Sequence, residues 1–204
     1  MIKLYTYKTP NGYKPLLLLE ELQIEYELTT VPLDGTQKED WFLKICSNGK
    51  IPAIIDTSND LSLFESGAIL EYLAENYEGS EFYPKEIKAR AKVQEWLMFQ
   101  MGGLGPMFGQ MNHFFKMAKE DVPYAKKRYH DESHRLCEVV ERQLSNNDYL
   151  AGDFYSIADM AAYPRFRTLN IFYPEFLKNY SNIRNWMSKI YDREATKRAY
   201  EVEM

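Results

Sequence analysis

The stretch from Asn48 to Tyr72 constrains the fold most, because it holds two strand patterns and a helix start in close succession. Asn48-Gly49 is a turn pair, and residues 51–55 form a short apolar run that is typical of a buried strand. After a second turn, residues 61–64 predict a return strand, and residues 65–67 open a helix with apolar residues at helical spacing. This order predicts an α/β arrangement for this part of the chain.

Pro52 and the residues after it indicate what this arrangement could bind. Proline has no N–H for a sheet ladder, so Pro52 belongs at the first residue or the edge of its strand. That position leaves the Ile51 backbone to pair with an extended partner. A few residues on, the acid Glu65, the Ser66 hydroxyl and the N–H groups of a helix start come together. The combination suits a small peptide that has a carboxylate and an ammonium at one end.

Composition and charge exclude several classes of protein. The chain has 204 residues, enough for two modest domains, and its 45% hydrophobic and 27% charged residues indicate a globular protein. The net charge of -5 favours a soluble protein and argues against nucleic-acid binding, which needs clustered basic residues. The longest apolar run, residues 16–19, is too short to span a bilayer, and no export signal opens the chain. We therefore expect no membrane partner. Two cysteines without a partner motif, Cys46 and Cys137, fit a reducing compartment, and we expect a cytoplasmic location.

The first part of the chain predicts a mixed order of strands and helices. Pro15 is compatible with the first helix, because a proline in the first turn lacks only an N–H that has no helical partner. The predicted elements are strand 2–7, helix 13–23, strand 26–31, helix 39–46, strands 51–55 and 61–64, and a helix ending near Tyr77. This order is that of a thioredoxin-like domain, which we assign to residues 1–78.

Residues 79–86 predict a linker, and residues 87–204 show helical patterns only. A helix from residue 87 to about residue 119 contains the run Gly102 to Pro106, which must bend or break it. Another helix begins at Pro123 and reaches about residue 144. We therefore assign residues 87–204 to a second, all-helical domain.

The end of the chain contains a helix-capping signal. Ser156 and Asp159 form a capping box, with Asp in place of the usual Glu at the third helical position. Residues 182–203 predict one or two short helices, with Trp186 and Ile190 facing inward.

These motifs resemble the glutathione transferase superfamily. Ile51-Pro52 followed by Glu65-Ser66 is similar to the hallmark of its glutathione-binding half, an Ile/Val–cis-Pro strand followed by Glu/Gln-Ser at a helix start. The segment 149–159 resembles the signature of the second domain, and the turn 9–12 and the run 102–107 resemble the Nu-class enzymes, which are glutathione-dependent disulfide-bond reductases. The resemblance implies the glutathione transferase fold, an α/β N-terminal thioredoxin-like domain plus an all-α C-terminal domain.

The start of the first helix is where a thiolate could be stabilised. Lowering a thiol pKa from about 8.5 to about 6.5 takes about 2.7 kcal/mol. A helix N-terminus gives roughly 0.3–1 kcal/mol, up to ~2 when partly buried, and each hydrogen bond to the charged group gives about 1.5–3 kcal/mol. We expect bare N–H groups here, together with the Thr9 hydroxyl and the Asn11 amide. The turn has no cysteine, so any thiol must arrive with the ligand.

The resemblance implies that glutathione, as co-substrate, supplies this sulfur and that Thr9 and Asn11 contact it. Two alternatives stay open. Asn11 could be a plain helix N-cap, and Tyr5 or Tyr7 could activate the thiol, because other transferase classes use an early tyrosine.

The resemblance also assigns the binding residues. Glu65 would hold the γ-glutamyl ammonium, and Ser66 would hold the neighbouring carboxylate at the helix start. The Ile51 backbone, next to Pro52, would pair with the cysteinyl segment as an added strand does.

Three further residues would complete this site. Gln37 and Lys50 lie where the glycyl carboxylate would be, although Lys50 could equally be a solvated surface charge. Arg128 matches a position from which the class reaches across a homodimer interface to the second ligand. The alternative is a solvated helix charge beside Lys126 and Lys127.

Other reactive side chains fit the chemistry less well. His130 and His134 are four residues apart, as zinc ligands on a helix are, but residue 131 is Asp rather than Glu and no third ligand is evident, so we expect no metal. Cys137 lies among apolar residues and predicts a core position. Cys46 lies just before the binding loop, and a redox role for it stays open.

The sequence thus predicts a cytoplasmic homodimeric enzyme that reduces small disulfides with glutathione. Thiol–disulfide exchange favours an attacking thiol whose pKa lies near the ambient pH. Two alternatives remain: conventional conjugation of glutathione to electrophiles, and a non-catalytic regulatory protein that binds glutathione in the same fold.

Overall fold

The computed structural model describes residues 1–204 and divides into two compact units. The first comprises residues 1–84 together with 191–204, and the second comprises residues 85–190. The first is an α/β unit and the second is all-helical, which confirms the predicted fold class. The predicted domain boundaries, 1–78 and 87–204, stay a prediction. The contact-based units differ from them in placing the chain's last residues with the first unit.

The first unit is built on a four-stranded mixed sheet. Its elements are β1 (Ile2–Thr6), α1 (Tyr13–Glu21), β2 (Tyr26–Thr30), a 3₁₀ turn (Thr36–Lys38), α2 (Asp40–Leu43), β3 (Ala53–Asp56), β4 (Leu61–Phe64) and α3 (Ser66–Asn76). The strand order is β2-β1-β3-β4, with β1 parallel to β2 and all other pairs antiparallel. In β1, alternation buries Ile2, Leu4 and Thr6 completely, as a sheet covered on one face requires.

Strands β1 and β2 and helix α1 end one or two residues before their predicted ends, and two further boundaries differ for a clear physical reason. Strand β3 begins at Ala53 rather than at Ile51, because a cis peptide between Ile51 and Pro52 precedes it and proline cannot donate to the ladder. Helix α2 is shorter than the predicted 39–46. The N–H groups of Ile45 and Cys46 both donate to the Phe42 carbonyl, which closes the last turn tightly and ends the helix.

The second unit is a bundle of helices. Its elements are α4 (Ile87–Phe99), a π-helical turn (Gln100–Leu104), α5 (Gly105–Asn112), a second π-helical turn (His113–Met117), α6 (Pro123–Leu144), α7 (Ile157–Phe172), a 3₁₀ turn (Pro174–Leu177) and α8 (Ser181–Tyr191). The glycine-rich run predicted to bend or break a helix is accommodated as the first π turn. Pro106 lies in the first turn of α5, where a proline is tolerated, and α5 follows the π turn without a gap.

The predicted capping box is present at the start of α7. The Ser156 hydroxyl accepts from the Ala158 N–H at 3.3 Å, and the Asp159 carboxylate accepts from the Ser156 N–H at 3.0 Å. Asp159 is fully buried and also accepts from the Leu150 N–H at 3.0 Å and from the Trp186 indole at 2.8 Å. Burial raises the pKa of Asp159 to about 6. One carboxyl group therefore joins a loop, α7 and α8, and Trp186 faces inward as predicted.

The last helix, α9 (Glu194–Glu201), packs on α1 in the first unit. Arg193 forms a bidentate ion pair with Glu21 at 2.5 and 2.9 Å, and Arg198 binds Glu20 at 2.8 Å. These contacts attach the end of the chain to the helix that begins next to the candidate site. None of the chain's helices combines the length and the apolar character that crossing a membrane would require.

Candidate functional site

The turn between β1 and α1 is held by hydrogen bonds from both backbone and side-chain donors. The Thr9 N–H donates to the Tyr7 carbonyl at 2.6 Å, and the Gly12 N–H donates to the Thr9 hydroxyl at 3.1 Å. The buried Thr6 hydroxyl donates to the Gly12 carbonyl at 3.0 Å. A Cβ at residue 12 would lie 2.0 Å from the Tyr7 carbonyl oxygen, so only glycine fits there. The turn is therefore fixed before any ligand arrives.

The expected bare N–H groups at the start of α1 are a wrong prediction. The Gly12, Tyr13 and Lys14 N–H groups all have acceptors within the turn, and Pro15 has no N–H. Asn11 is not a plain N-cap either, because Gly12 is the N-cap residue and no side chain caps α1. Side-chain donors must consequently carry a larger share of any thiolate stabilisation. The Thr9 hydroxyl accepts from Gly12 and can still donate its hydrogen.

Tyr5 and Tyr7 lie against the core of the first unit. Both pack on a cluster of buried residues that comprises Val31, Phe42, Cys46, Ile51 and Ala53. The Tyr5 ring lies 6.2 Å from the Trp41 ring and 6.3 Å from the Phe42 ring. This packing gives both tyrosines a structural role.

The backbone before Pro52 is open to an added strand. Neither the N–H nor the carbonyl of Ile51 makes a hydrogen bond within the chain, although the side chain is nearly buried. The preceding carbonyl, that of Lys50, accepts from the thiol of the fully buried Cys46 at 3.2 Å. The buried thiol of Cys46 thus holds the loop at Lys50, and the backbone of Ile51 could form hydrogen bonds with an extended peptide.

Glu65 and Ser66 form the second part of the site, at the start of α3. Glu65 is exposed and has a φ of 73°, a conformation that costs a non-glycine residue on the order of 1–3 kcal/mol and occurs often at functional sites. No side chain caps α3, so its first turn presents N–H groups to an anion. The Ser66 hydroxyl is nearly buried and accepts from the Lys14 ammonium at 3.2 Å.

Lys14 is a residue that the sequence analysis missed. It is only 1% exposed, although a helix lysine is usually solvated. The available signal was its position, because residue 14 lies one helical turn before Leu18 and directly precedes the apolar run that starts at Pro15.

Gln37 lies against Gly49, the residue that precedes Lys50. A Cβ at Gly49 would lie 2.9 Å from the Gln37 carbonyl oxygen, and the φ of +58° at Gly49 also favours glycine. The Gln37 amide oxygen accepts from the Gly35 N–H at 3.0 Å, so its amide donors can turn toward a ligand. Lys50 is exposed and makes no ion pair.

Arg128 belongs to the second unit, where it lines a groove of about 590 Å³ on α6. Its cationic neighbours are neutralised, since Lys127 pairs with Asp131 at 2.5 Å and Arg135 pairs with Glu132 at 2.7 Å. The Arg128 guanidinium has no such partner, which leaves one positive charge in the groove for an incoming anion.

The two helix histidines lie in an aromatic cluster of the second unit. The His134 Nδ1 lies 2.9 Å from the Tyr180 hydroxyl, and its ring stacks on Phe176 at 3.9 Å. Burial and the charge of His130 lower the pKa of His134. No group of three or more possible metal ligands is present in the structure. Cys137 is fully buried, as predicted, and burial raises its pKa far above the usual range of a thiol.

Comparison with known proteins establishes the family. Residues 1–75 match the family described as Glutathione S-transferase, N-terminal domain, and residues 105–194 match Glutathione S-transferase, C-terminal domain. The chain therefore belongs to the glutathione S-transferase family, which confirms the resemblance found in its sequence motifs.

Three individual members of the family are similar to this chain over nearly its whole length. The disulfide-bond oxidoreductase YfcG of Escherichia coli (strain K12) is 44% identical over 207 residues, which cover 98% of this chain and 94% of that protein. A glutathione transferase homolog from Lodderomyces elongisporus, crystallised with two GSH per subunit, has a TM-score of 0.93 and 37% identity over 100% of this chain and 99% of that one. A glutathione transferase from Pseudomonas putida, with one glutathione disulfide bound per subunit, has a TM-score of 0.93 and 34% identity over 100% and 92% of the two chains.

Proposed function

We propose that this protein reduces disulfide bonds with glutathione. The observation that carries the proposal is the fixed turn at Thr9–Gly12, which offers side-chain donors but no cysteine, in the same unit as a set of groups suited to glutathione. A thiol delivered by the ligand is then the nucleophile. The disulfide-bond oxidoreductase YfcG, which is similar over nearly the whole chain, supports this choice among transferase reactions.

The proposed binding mode follows the residues of the first unit. Glu65 binds the γ-glutamyl ammonium, and the start of α3 with Ser66 binds the adjacent carboxylate. The unpaired backbone of Ile51 before Pro52 forms strand-like hydrogen bonds with the cysteinyl segment. Gln37 and Lys50 bind the glycyl carboxylate, an assignment that the close approach of Gln37 to Gly49, next to Lys50, supports.

The proposed reaction proceeds in two exchange steps. Thr9 and Asn11 donate hydrogen bonds to the glutathione sulfur and hold it as a thiolate, which attacks one sulfur of the disulfide and expels the other as a thiolate. A second glutathione thiolate then attacks the mixed disulfide and releases the second thiol. Two glutathione thiols are oxidised to one glutathione disulfide, and the two electrons reduce the substrate.

We also propose that the protein acts as a homodimer in which Arg128 of each subunit contributes to the binding of glutathione in the other. The unpartnered guanidinium supports this proposal, because its neighbours in the groove are already neutralised. Light scattering would give the oligomeric state. Arg128→Ala should weaken glutathione binding, and the exposed, ion-paired Lys178 offers a matched control in Lys178→Ala. We further propose a cytoplasmic location, since both cysteines are free.

The experiment that tests the proposed activity compares two substrates on one preparation. We expect faster turnover of hydroxyethyl disulfide with glutathione than of a chloronitroaromatic electrophile. Faster conjugation than reduction would instead assign the protein to conventional transferases. Glutathione binding without either activity would identify a regulatory protein, and both of these results would overturn the proposal.

A further inference from the structure

A second pocket of the helical unit contains none of the residues that the proposed function uses. Its volume is about 420 Å³, within the range of roughly 300–1,000 Å³ that is usual for small-molecule sites. The end of α5, the second π-helical turn, α6 and the segment after α7 form its walls. The lining includes Met111, Phe115, His130, His134, Tyr173 and Phe176. The pocket shares no residue with the groove that holds Arg128, so it is a separate candidate site.

The rings of this pocket favour a planar aromatic ligand. The Phe115 ring lies 6.2 Å from the Tyr173 ring and 6.2 Å from the His130 ring, and the His134 ring stacks on Phe176 at 3.9 Å. Aromatic groups attract one another at such separations, and a further ring in the pocket would make the same kind of contact. Phe115 is still 41% exposed, so a bound ring would also remove apolar surface from water.

The charge next to these rings favours an anion. The Lys116 ammonium lies 5.5 Å from the centre of the Tyr173 ring, which is a cation–π contact, and it has no ion pair. The carboxylate that lines the pocket belongs to Glu175, and Lys178 neutralises it at 3.2 Å. Lys116 therefore brings one uncompensated positive charge to the pocket.

Other charged groups nearby do not change this balance. Lys126, which lies over another ring of the pocket, is paired with Asp121 at 2.5 Å. Burial and the charge of His130 lower the pKa of His134, so this imidazole is uncharged near neutral pH. Glu138 is exposed one helical turn beyond His134 and does not line the pocket. An anion would consequently meet Lys116 without a competing carboxylate in the lining.

We propose that this pocket is a ligand site for small planar aromatic carboxylates. The ring of the ligand packs against Phe115 and Tyr173, and the Lys116 ammonium pairs with its carboxylate. The inference concerns binding alone. It does not depend on whether the protein reduces disulfides, and the two proposals can fail separately.

The test compares 2-naphthoate with its neutral isostere 2-naphthamide. Both are titrated by calorimetry into the wild type and into Lys116→Met. We expect the wild type to bind the naphthoate more tightly, because only the naphthoate can pair with the ammonium. In Lys116→Met the affinity for the naphthoate should fall roughly two- to fivefold, the effect of losing one partly exposed ion pair. The affinity for the naphthamide should stay nearly constant.

Two further variants separate the charge from the apolar pocket. Lys119→Met removes another exposed lysine that has no ion pair and does not line the pocket, and it should bind both ligands as the wild type does. Phe115→Ala keeps Lys116 but removes one wall, so it should weaken the binding of both ligands by a similar factor. Circular dichroism checks that each variant is folded.

Each outcome supports or overturns the ligand site. It is supported by a preference for the naphthoate that is lost in Lys116→Met, together with weaker binding of both ligands to Phe115→Ala. Equal affinities in the wild type, or no binding at all, would overturn it. So would an unchanged naphthoate affinity in a folded Lys116→Met or Phe115→Ala protein. Displacement of the naphthoate by saturating glutathione would place the ligand in the glutathione site instead and would also overturn it.

Discussion

Removing the Thr9 hydroxyl should raise the pKa of the thiol group of bound glutathione. The N–H groups of Gly12, Tyr13 and Lys14 already have acceptors, so in the proposed site the thiolate would depend on the helix dipole and on the donors of Thr9 and Asn11. The dipole supplies roughly 0.3–1 kcal/mol at an exposed site. Most of the ~2.7 kcal/mol needed for a thiol pKa near 6.5 must then come from the two side chains.

The expected magnitude follows from the loss of one donor. A hydrogen bond to a charged group contributes about 1.5–3 kcal/mol, so Thr9→Val should raise the thiol pKa by about 1–2 units. At pH 7 the thiolate fraction, and with it the rate of disulfide reduction, should fall roughly 3- to 25-fold. Thr9→Ser keeps both the donor and the acceptor for the Gly12 N–H, and it should behave like the wild type.

The assay is a pH titration of bound glutathione, followed through the ultraviolet absorbance of its thiolate. Saturating glutathione keeps differences in affinity from affecting the result. A Thr9→Val protein that binds glutathione with an unchanged thiol pKa would refute the role of Thr9. The same titration of Asn11→Ala would then show whether the amide alone stabilises the sulfur.

Two further predictions concern stability. Asp159→Ala should lower the free energy of unfolding by about 3–5 kcal/mol, because it leaves the N–H groups of Leu150, Ser156 and Trp186 without their buried acceptor. Urea denaturation measures this free energy, and a decrease below ~1 kcal/mol would contradict the prediction. Burial raises the pKa of Asp56, but hydrogen bonds from Tyr77, Ser58 and Tyr72 outweigh it and hold the pKa well below the usual range. A depressed pKa gives stability that is present above the unfolded-state value of about 3.9 and is lost as the pH falls further. As the pH falls from about 5 toward 2, through the unfolded-state pKa and toward the lower folded-state one, the wild type should therefore lose more stability than Asp56→Asn, and equal losses would contradict this.

Strong local patterns made much of the fold predictable. Helix α6 spans Pro123–Leu144, as predicted from Pro123 in its first turn, and the capping box at Ser156 has the predicted hydrogen bonds. Strand β4 also has its predicted bounds of Leu61–Phe64. In these elements the local signal and the tertiary packing agree, so the sequence alone suffices.

The remaining features depend on contacts between distant residues. No local rule shows that Gly102 to Pro106 will be accommodated by a π turn rather than by a break. The N–H groups at the start of α1 looked bare because the folded-back turn at Thr9, which engages them, is not visible in the residue pattern. The sequence pattern indicates an exposed charge at Lys14, because only the folded structure places Ser66 of α3 within 3.2 Å of its ammonium. The roles of Glu65, Ser66 and the other candidate site residues stay predictions.

The central claim is that glutathione, and not the protein, supplies the reactive sulfur. The most direct test is hydroxyethyl disulfide reduction by a cysteine-free variant, Cys46→Ala with Cys137→Ala, whose fold is first checked by circular dichroism. Both thiols are buried, and Cys46 contacts the core of the first unit and the Lys50 carbonyl, so turnover with glutathione should stay close to that of the wild type. Loss of turnover in a folded variant that still binds glutathione, or a mixed disulfide between Cys46 and glutathione in the wild type, would contradict the account.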